Sequence, residues 1–471
     1  MMATQLTNMG WEKDSIVLGR WTNQRDIVED LVNGIEVADN VEANTLRGYD
    51  FIHGQVSSGT GLLNEGTIIT GVGKDRIIGT VTVEGNGSGN SGISSIFAST
   101  DMGSGNDRIN GIVTVEGNGN DNNGFANGFF GIDTGDGDDK ITGTVTVEGD
   151  GNGNRSFANG DGAMITGDGN DHIKGAVTVR GNGDGNSFAS FSEARIDAGD
   201  GDDKITGTVT VEGNGNDNNG ISLDFFGTIE MGVGDDTIKS VVEIAGNGND
   251  NTGISMDGVF STIDMGAGYD TITSVVEVAG NGNDNAGILI NEETGTSTIN
   301  TGDGQDEIDG SASIIGSGDF NRGIDNKGSI DTGAGKDKIY GSVSVTGDGE
   351  SNFGIFNQGT IDMGNDVDVV QGMGVDAFSG FAGGGEILLG NDNDKIIGFG
   401  EQKVDGGIGQ KDTAEFQFDL DDSITLGSIA SNAIDITANG ATMSFTNVEQ
   451  FVFTNKSKTL NELIGLASVN K

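Results

Sequence analysis

Apolar and polar residues alternate strictly in one segment that recurs along most of the chain. In the copy that begins at Ile141, isoleucine, glycine and valine take every second position as far as Val147, with threonine between them. Alternation over about eight residues is typical of a β-strand with one buried face. A glycine-rich turn ending in asparagine follows, and a second short apolar segment leads to the next copy. The pattern predicts stacked coils of strands.

A G-x-G-x-D motif precedes each of these strands. It occurs intact nine times, with successive aspartates 31 to 36 residues apart. Two shorter units, Asp50 to Asp75 and Asp368 to Asp394, span 25 and 26 residues and fit one coil rather than two. We therefore predict an all-β fold, a right-handed parallel β-helix or β-roll solenoid with about 32 residues per coil. Residues 1–47 would form an N-terminal cap, 48–412 the repeats, and 413–471 a C-terminal cap.

The repeated motif has the composition of a calcium-binding turn. Calcium takes six to eight oxygen ligands and accepts carboxylates together with backbone carbonyls. Glycine reaches positive φ at little cost and can aim its carbonyl inward. The aspartates that we expect to bind calcium are Asp75, Asp107, Asp139, Asp171, Asp203, Asp236, Asp270, Asp306 and Asp337. Their partner glycines are Gly71, Gly73, Gly103, Gly105, Gly135, Gly137, Gly167, Gly169, Gly199, Gly201, Gly232, Gly234, Gly266, Gly268, Gly302, Gly304, Gly333 and Gly335. One turn cannot complete the shell, so each ion would lie between turns of adjacent coils.

The motif resembles that of the RTX family of calcium-binding β-rolls, G-G-x-G-x-D-x-U-x with U apolar. The segment 135–141 matches all but the first glycine, a position held by Thr134 here and by Met102 and Met231 in other copies. The C-terminal segments 445–451 and 460–463 resemble those of type I-secreted RTX proteins. That resemblance implies an uncleaved C-terminal export signal and a secreted, extracellular or cell-surface protein that folds on binding calcium.

The charge of the chain supports a need for cations. Acidic residues outnumber basic ones 73 to 24, and the formal net charge is -49. A compact chain of that charge repels itself unless cations neutralise it, and its acidity disfavours a nucleic-acid partner. Cysteine and proline are absent, which excludes disulfides and suits continuous sheet. We find no apolar run long enough for a transmembrane helix and no N-terminal Sec signal.

Several other rows of residues leave alternatives open. Asparagines close the glycine-rich loops, and an amide ladder is favoured over a second metal row because amides lack charge. Outward glutamates such as Glu84 form a column that Arg180 interrupts, which we interpret as a solvated face. Thr-x-Thr pairs such as Thr144 and Thr146 resemble those of ice-binding solenoids, although threonine is also an ordinary strand residue.

The chain ends and the histidines provide the last predictions, which concern two short helices and the class of function. We expect a short helix from Thr22 with Ile27 to Ile35 on its apolar face, and another at 460–467. Neither His53 nor His172 belongs to a recognisable acid–base arrangement, so we predict no enzyme. The leading hypothesis is a structural calcium-binding protein of a surface layer, matrix or filament, with calcium and further copies as partners. The alternatives are an adhesin that binds carbohydrate or a surface polysaccharide, an ice-binding solenoid, and a polysaccharide-acting β-helix enzyme. Exposed aromatic pairs at Phe129–Phe130 and Phe225–Phe226 would favour an adhesin.

Overall fold

Both compact units of the protein are parallel β-solenoids. The computed structural model describes residues 5–7, 26–37, 42–45, 47–95, 98–128, 131–160, 162–291, 296–421 and 423–469. The chain divides into units Met1–Asn247 and Gly248–Lys471. Each full coil of roughly 32 residues supplies one strand to each of three parallel sheets, here called sheets A, B and C. The predicted fold class and the prediction of one coil per repeat are confirmed.

The first unit carries its longest strands in sheet A, directly after the aspartates of the turns. Its sheet A strands are Gln5–Thr7, Ile27–Asp30, Phe51–Val56, Arg76–Val83, Arg108–Val115, Lys140–Val147, His172–Val179, Lys204–Val211 and Thr237–Ile244. Sheet B contains Ile35–Val37, Thr60–Asn64, Ser91–Ser95, Asn123–Asn127, Arg155–Asn159, Ser187–Ser192 and Asn219–Asp224. Sheet C contains Glu42–Asn44, Thr67–Ile69, Ser99–Asp101, Ile132–Asp133, Ala163–Ile165, Arg195–Asp197 and Thr228–Glu230. Arg47–Gly48 and Val72–Gly73 pair within the turns.

The second unit repeats this plan and ends in antiparallel strands. Its sheet A strands are Thr271–Val278, Glu307–Ile314, Lys338–Val345, Val369–Met373, Lys395–Ile397, Thr413–Glu415, Gln450–Val452 and Ser457–Thr459. Sheet B contains Thr252–Met256, Ala286–Ile290, Arg322–Asn326, Phe353–Asn357 and Phe381–Ala382. Sheet C contains Thr262–Asp264, Thr298–Asn300, Ser329–Asp331, Thr360–Asp362, Glu386–Leu388, Gln402–Asp405, Thr425–Ala430, Ala433–Ala438 and Ala441–Thr446. Three two-residue strands in the turns, Ala267–Gly268, Asp303–Gly304 and Ala334–Gly335, form a small sheet of their own.

The interior of each coil is narrow because sheets A and B approach closely at glycines. Gly111 of sheet A lies against Gly124 of sheet B, and a Cβ added to Gly111 would meet the carbonyl oxygen of Gly124 at 2.1 Å. On either side of this contact the inward residues stack with their own kind, as Ile109 does with Ile141. Both isoleucines are at most 1% exposed. The coil is therefore held by short-range packing and by the ladders between coils.

The two ends of the chain differ in how well the sequence predicted them. The helix expected from Thr22 is wrong where the structure describes it, since Ile27–Asp30 and Ile35–Val37 are strands that pair with the next coil. Residues 22–25 and both tryptophans, Trp11 and Trp21, lie outside the described residues. The expected C-terminal helix is confirmed as α1, Leu460–Val469. In the part of the chain that the structure describes, no helix is long and apolar enough to cross a membrane.

Candidate metal-binding turns

The first glycine of every intact G-x-G-x-D motif has the backbone conformation that the prediction required. The φ angles of these glycines lie between 77° and 106°, in the left-handed region that glycine adopts without strain. The second glycine varies between motifs. It has φ of 140° to 155° at Gly105, Gly137, Gly169, Gly201, Gly234 and Gly335, and lies in a two-residue strand at Gly73, Gly268 and Gly304.

Successive turns stack directly on one another within a unit. A Cβ added to Gly103 would meet the carbonyl oxygen of Gly71 in the preceding coil at 1.9 Å, so no larger residue fits there. Ser104 N–H donates to that same carbonyl at 3.0 Å, and Gly105 N–H donates to the carbonyl of Asp136 at 2.8 Å. The turn carbonyls thus form a short ladder of their own. A carbonyl oxygen has two lone pairs, so each can accept this bond and still face a cation.

The aspartates of the motif form a buried ladder that runs from coil to coil. Within each unit, the backbone N–H of one ladder aspartate donates to Oδ1 of the corresponding aspartate in the next coil. In the first unit Asp107 N–H donates to Asp139 Oδ1 at 2.6 Å, and in the second unit Asp306 N–H donates to Asp337 Oδ1 at 2.9 Å. The ladder includes the degenerate copies, since Asp368 N–H donates to Asp394 Oδ1 at 2.8 Å.

The second carboxylate oxygen of the ladder aspartates is buried without a hydrogen-bond partner. This holds for Oδ2 of Asp50, Asp75, Asp107, Asp139, Asp171, Asp203, Asp306, Asp337, Asp368, Asp394 and Asp412. Each of these residues is at most 3% exposed. A buried, unpaired carboxylate oxygen carries a large desolvation cost, which either a proton or a cation can remove.

The raised pKa values of the ladder carboxyls reflect this desolvation cost. Burial raises the pKa of Asp107, Asp203 and Asp368 to about 8, and that of Asp171 and Asp394 to about 7. The pKa rises to about 6 for Asp75, Asp139, Asp236, Asp337 and Asp412. In all ten, desolvation is the largest cause and neighbouring carboxylates add to it, whereas the backbone N–H bond to the carboxylate opposes it. A threonine hydroxyl also opposes it at Asp75, Asp139, Asp171 and Asp337. The ladder therefore favours loss of its negative charge near neutral pH.

The donor set fits calcium better than a transition metal. Among the described residues no three His, Cys, Asp or Glu side chains converge on one point. A site at these turns would therefore combine aspartate Oδ2 with backbone carbonyls of adjacent turns. Oxygen-only coordination by a few carboxylates and several carbonyls is what calcium accepts.

The asparagines of the glycine-rich loops form an amide ladder. Asn122 Nδ2 donates to Asn154 Oδ1 at 3.0 Å, and Asn122 N–H donates to the same oxygen at 3.1 Å. Asn122 Nδ2 also donates to the carbonyl of Gly87 at 3.2 Å. Because each Oδ1 already accepts two hydrogen bonds, the geometry supports the ladder and not a second metal row.

The histidines and phenylalanines that the sequence analysis named as candidate functional residues either lie apart from the metal-binding turns or are strand residues. His53 Nδ1 is 3.4 Å from Glu29, and His172 Nε2 is 3.4 Å from Thr206 Oγ1. Burial, followed by the lysines around it, lowers the pKa of His172 to about 4. Phe225 and Phe226 are exposed, whereas Phe129 and Phe130 lie outside the described residues.

Sequence reasoning missed the residue that ends the ladder. Asp412 N–H donates not to another aspartate but to Glu449 Oε2, at 2.9 Å. Glu449 stands 37 residues later in the chain and belongs to no G-x-G-x-D motif. Only the three-dimensional placement of the C-terminal segment identifies it.

Comparison with known proteins does not assign a function to this chain. No protein-family model and no curated protein matches the chain. A solved structure to which the chain is similar is a hyperactive, Ca²⁺-dependent, β-helical antifreeze protein from an Antarctic bacterium. The two are 17% identical over 95% of this chain and 93% of that one, with a TM-score of 0.38.

Proposed function

We propose that this protein is a secreted, RTX-type structural solenoid that folds by loading calcium into its turns. The observation that carries the proposal is the buried aspartate ladder, in which the Oδ2 atoms of the eleven aspartates named above lack a hydrogen-bond partner. Such oxygens are unfavourable in a folded protein unless something positive is bound to them. The proposed role is structural, as the sequence predicts.

The proposed role of calcium follows from the spacing of the coils. Adjacent strands lie about 4.8 Å apart, and two unit charges at that distance repel by roughly 3–4 kcal/mol at an effective dielectric constant of about 20. A row of such carboxylates opposes folding at neutral pH. Calcium supplies the positive charge that offsets this repulsion. Aspartate Oδ2 and the carbonyl of the first turn glycine would hold it.

The proposed location follows from the same electrostatics. Where free calcium is scarce, the ladder charges keep the chain from folding, which suits export as an unfolded chain. Where calcium is abundant, its binding free energy becomes folding free energy. The C-terminal strands and α1 would include the export signal, and the folded solenoid would serve in a surface layer, matrix or filament.

A calcium titration of the full chain tests this function. We expect the far-UV circular dichroism of the chelated protein to lack the β-sheet signal at pH 7.5, and calcium to restore it cooperatively. Magnesium is the control, since it demands near-octahedral geometry with retained waters. A β-sheet signal that is the same in chelator and in calcium would contradict the proposal.

A second candidate, ice binding, is favoured by one observation on sheet A. Five outward threonines stand in register along the first unit: Thr82, Thr114, Thr146, Thr178 and Thr210. A flat threonine row suits ordered water at an ice surface. Thermal hysteresis of the calcium-loaded protein, abolished by Thr146→Tyr but not by Thr425→Tyr, would support this candidate. Freezing without hysteresis would exclude it.

A further inference from the structure

A column of basic residues runs along the N-terminal ends of the sheet A strands in the first unit. We call the two rows of strand ends the edges of this face. The column consists of the first residue of five consecutive strands: Arg76, Arg108, Lys140, His172 and Lys204. These residues are paired in register from one coil to the next. We call this the basic column. It is notable in a chain with a net charge of -49.

The C-terminal ends of the same five strands carry a column of four glutamates and one arginine. The residue that follows each strand is Glu84, Glu116, Glu148, Arg180 or Glu212. Backbone bonds keep these residues in register, as when Glu148 N–H donates to the carbonyl of Val115 at 2.9 Å. Arg180 forms ion pairs with Glu148 at 2.5 Å and with Glu212 at 3.8 Å. We call this the glutamate column.

The two columns match each other coil by coil. The four coils with a glutamate at one edge have arginine or lysine at the other. The one coil with Arg180 in the glutamate column has His172, which carries no obligatory charge at neutral pH, in the basic column. In the next coil both positions are uncharged, as Thr237 and Ala245. Among these six coils, a glutamate thus occurs at one edge only where the other edge has arginine or lysine.

Interactions within one copy of the chain do not explain this match. Eight residues of strand separate the two edges, which is about 26 Å at 3.3 Å per residue, far beyond a Debye length of about 8 Å. Among the described residues of the first unit, the ion pairs involve His53, Arg180 and Arg195, and none joins the basic column to a carboxylate. Arg76, Arg108 and Lys204 are exposed, and Lys140 and His172 are half-buried.

We infer that the outer face of sheet A in the first unit is a homodimer interface with a two-fold axis parallel to the solenoid axis. Such an axis reverses the strand direction of the second copy and keeps its coils level with those of the first. Every basic-column residue then faces the glutamate-column residue of the same coil in the other copy. Arg108 faces Glu116, Lys140 faces Glu148, and His172 faces Arg180. A two-fold axis parallel to the strands would instead place the basic column of one copy against the basic column of the other.

The centre of this face suits packing between two sheets. Between the charged edges lie the threonine row and two further columns: Ile78, Asn110, Thr142, Lys174 and Thr206, and Thr80, Ile112, Thr144, Ala176 and Thr208. Five coils about 4.8 Å apart and about 26 Å wide give about 600 Å² per copy, or about 1,200 Å² in all, which reaches the lower limit of stable interfaces. The centre is mostly threonine, with Lys174 as its one charged residue, so the association would depend on the charged columns more than on an apolar core.

Charge reversal of each edge tests the dimer and its orientation. One variant carries Arg76→Glu, Arg108→Glu and Lys140→Glu, and a second carries Glu84→Lys, Glu116→Lys and Glu148→Lys, so that both reverse the same three coils. Sedimentation of the full chain in calcium reports the oligomeric state, and circular dichroism confirms folding. We expect a wild-type dimer that weakens with salt. We expect each variant alone to dissociate with a Kd raised at least about tenfold, and an equimolar mixture of the two to re-form dimers.

The matched control reverses the same strand position outside the face. Lys338→Glu with Lys395→Glu, in the second unit, should leave the dimer unchanged. A monomeric wild type, a dimer that survives either triple reversal, or a mixture that stays monomeric would each overturn the inference. A monomer with thermal hysteresis would overturn it too, and would assign the face to ice.

Discussion

Replacement of one ladder aspartate by asparagine should change stability in opposite directions with and without calcium. Asp139 lies in the middle of the first unit's ladder and is 2% exposed. Its Oδ1 accepts the N–H of Asp107, and its own N–H donates to Asp171 Oδ1 at 2.7 Å. Asparagine has the same shape, so Asp139→Asn keeps the Oδ1 acceptor. It replaces the unpaired Oδ2 by an amide nitrogen and removes the charge.

The magnitude without calcium follows from the pKa of Asp139. Burial raises that pKa from 3.8 to about 6, so above pH 6 the folded state carries a penalty of about 3 kcal/mol for ionising this group. The variant removes the penalty, although an unpaired buried NH₂ costs about 1–3 kcal/mol. In chelator at pH 7.5, Asp139→Asn should therefore be about 0 to 2 kcal/mol more stable than the wild type.

With calcium the same substitution should be destabilising. An ion at 100 times its Kd stabilises the fold by about 2.7 kcal/mol, and loss of a charged ligand sharply weakens its site. The expected loss is about 3 kcal/mol, and more if two neighbouring ions share Asp139.

Urea unfolding at pH 7.5, followed by far-UV circular dichroism, measures both effects when the same osmolyte is present in chelator and in calcium, because the chelated chain is otherwise expected to be unfolded at this pH. Asp138→Asn is the matched control, because Asp138 belongs to the same turn and carries the same charge but is exposed. It should shift the urea midpoint little in either condition. If Asp139→Asn destabilises the protein equally in chelator and in calcium, the ladder is a hydrogen-bonded structural element and not a metal site.

Three further predictions concern pH, backbone strain and packing. Without calcium, stability should be greatest below pH 4 and fall as pH rises through about 8, because folding raises the pKa of Asp107 and Asp203 to about 8. Melting temperatures measured across this pH range check the profile, and calcium should flatten it. Phe320→Gly should stabilise the second unit by about 1 kcal/mol in urea unfolding, because Phe320 is exposed with φ of 57°. Gly111→Ala should destabilise the first unit by at least about 1–3 kcal/mol, since its Cβ would lie 2.1 Å from the Gly124 carbonyl oxygen; an unchanged melting temperature would refute the close approach.

The sequence predicted the repeated features of the fold because each has a local cause. Alternation from Ile141 to Val147 specifies a half-buried strand, and that strand is Lys140–Val147 in the structure. Both glycines of each turn were predicted to have positive φ; the first has it in all nine motifs, but the second has it in only six, with Gly73, Gly268 and Gly304 as the exceptions. The calcium ligands stay a prediction, although the burial of all nine motif aspartates agrees with it.

Other features depend on pairing between distant segments and could not be predicted in this way. The spacing of Ile27, Leu31 and Ile35 fits a helix, yet Ile27 pairs with Phe51 in sheet A, because a neighbouring coil offers a ladder that outweighs local propensity. The match between the basic and glutamate columns became visible only once the register placed Lys140 beside His172 and Arg108.

The aspartate ladder has a direction, and the direction has a consequence for the order of folding. In the second unit the amide of one ladder aspartate is satisfied by the carboxylate of the coil that follows it in sequence, and the last amide, at Asp412, is satisfied by Glu449. A chain that folds from its C-terminal end offers every newly arriving coil an acceptor already in place. A chain that folds from its N-terminal end leaves its growing tip with an unpaired amide at every step. The ladder of the second unit therefore favours folding that starts at its last coil and adds coils toward the N-terminus.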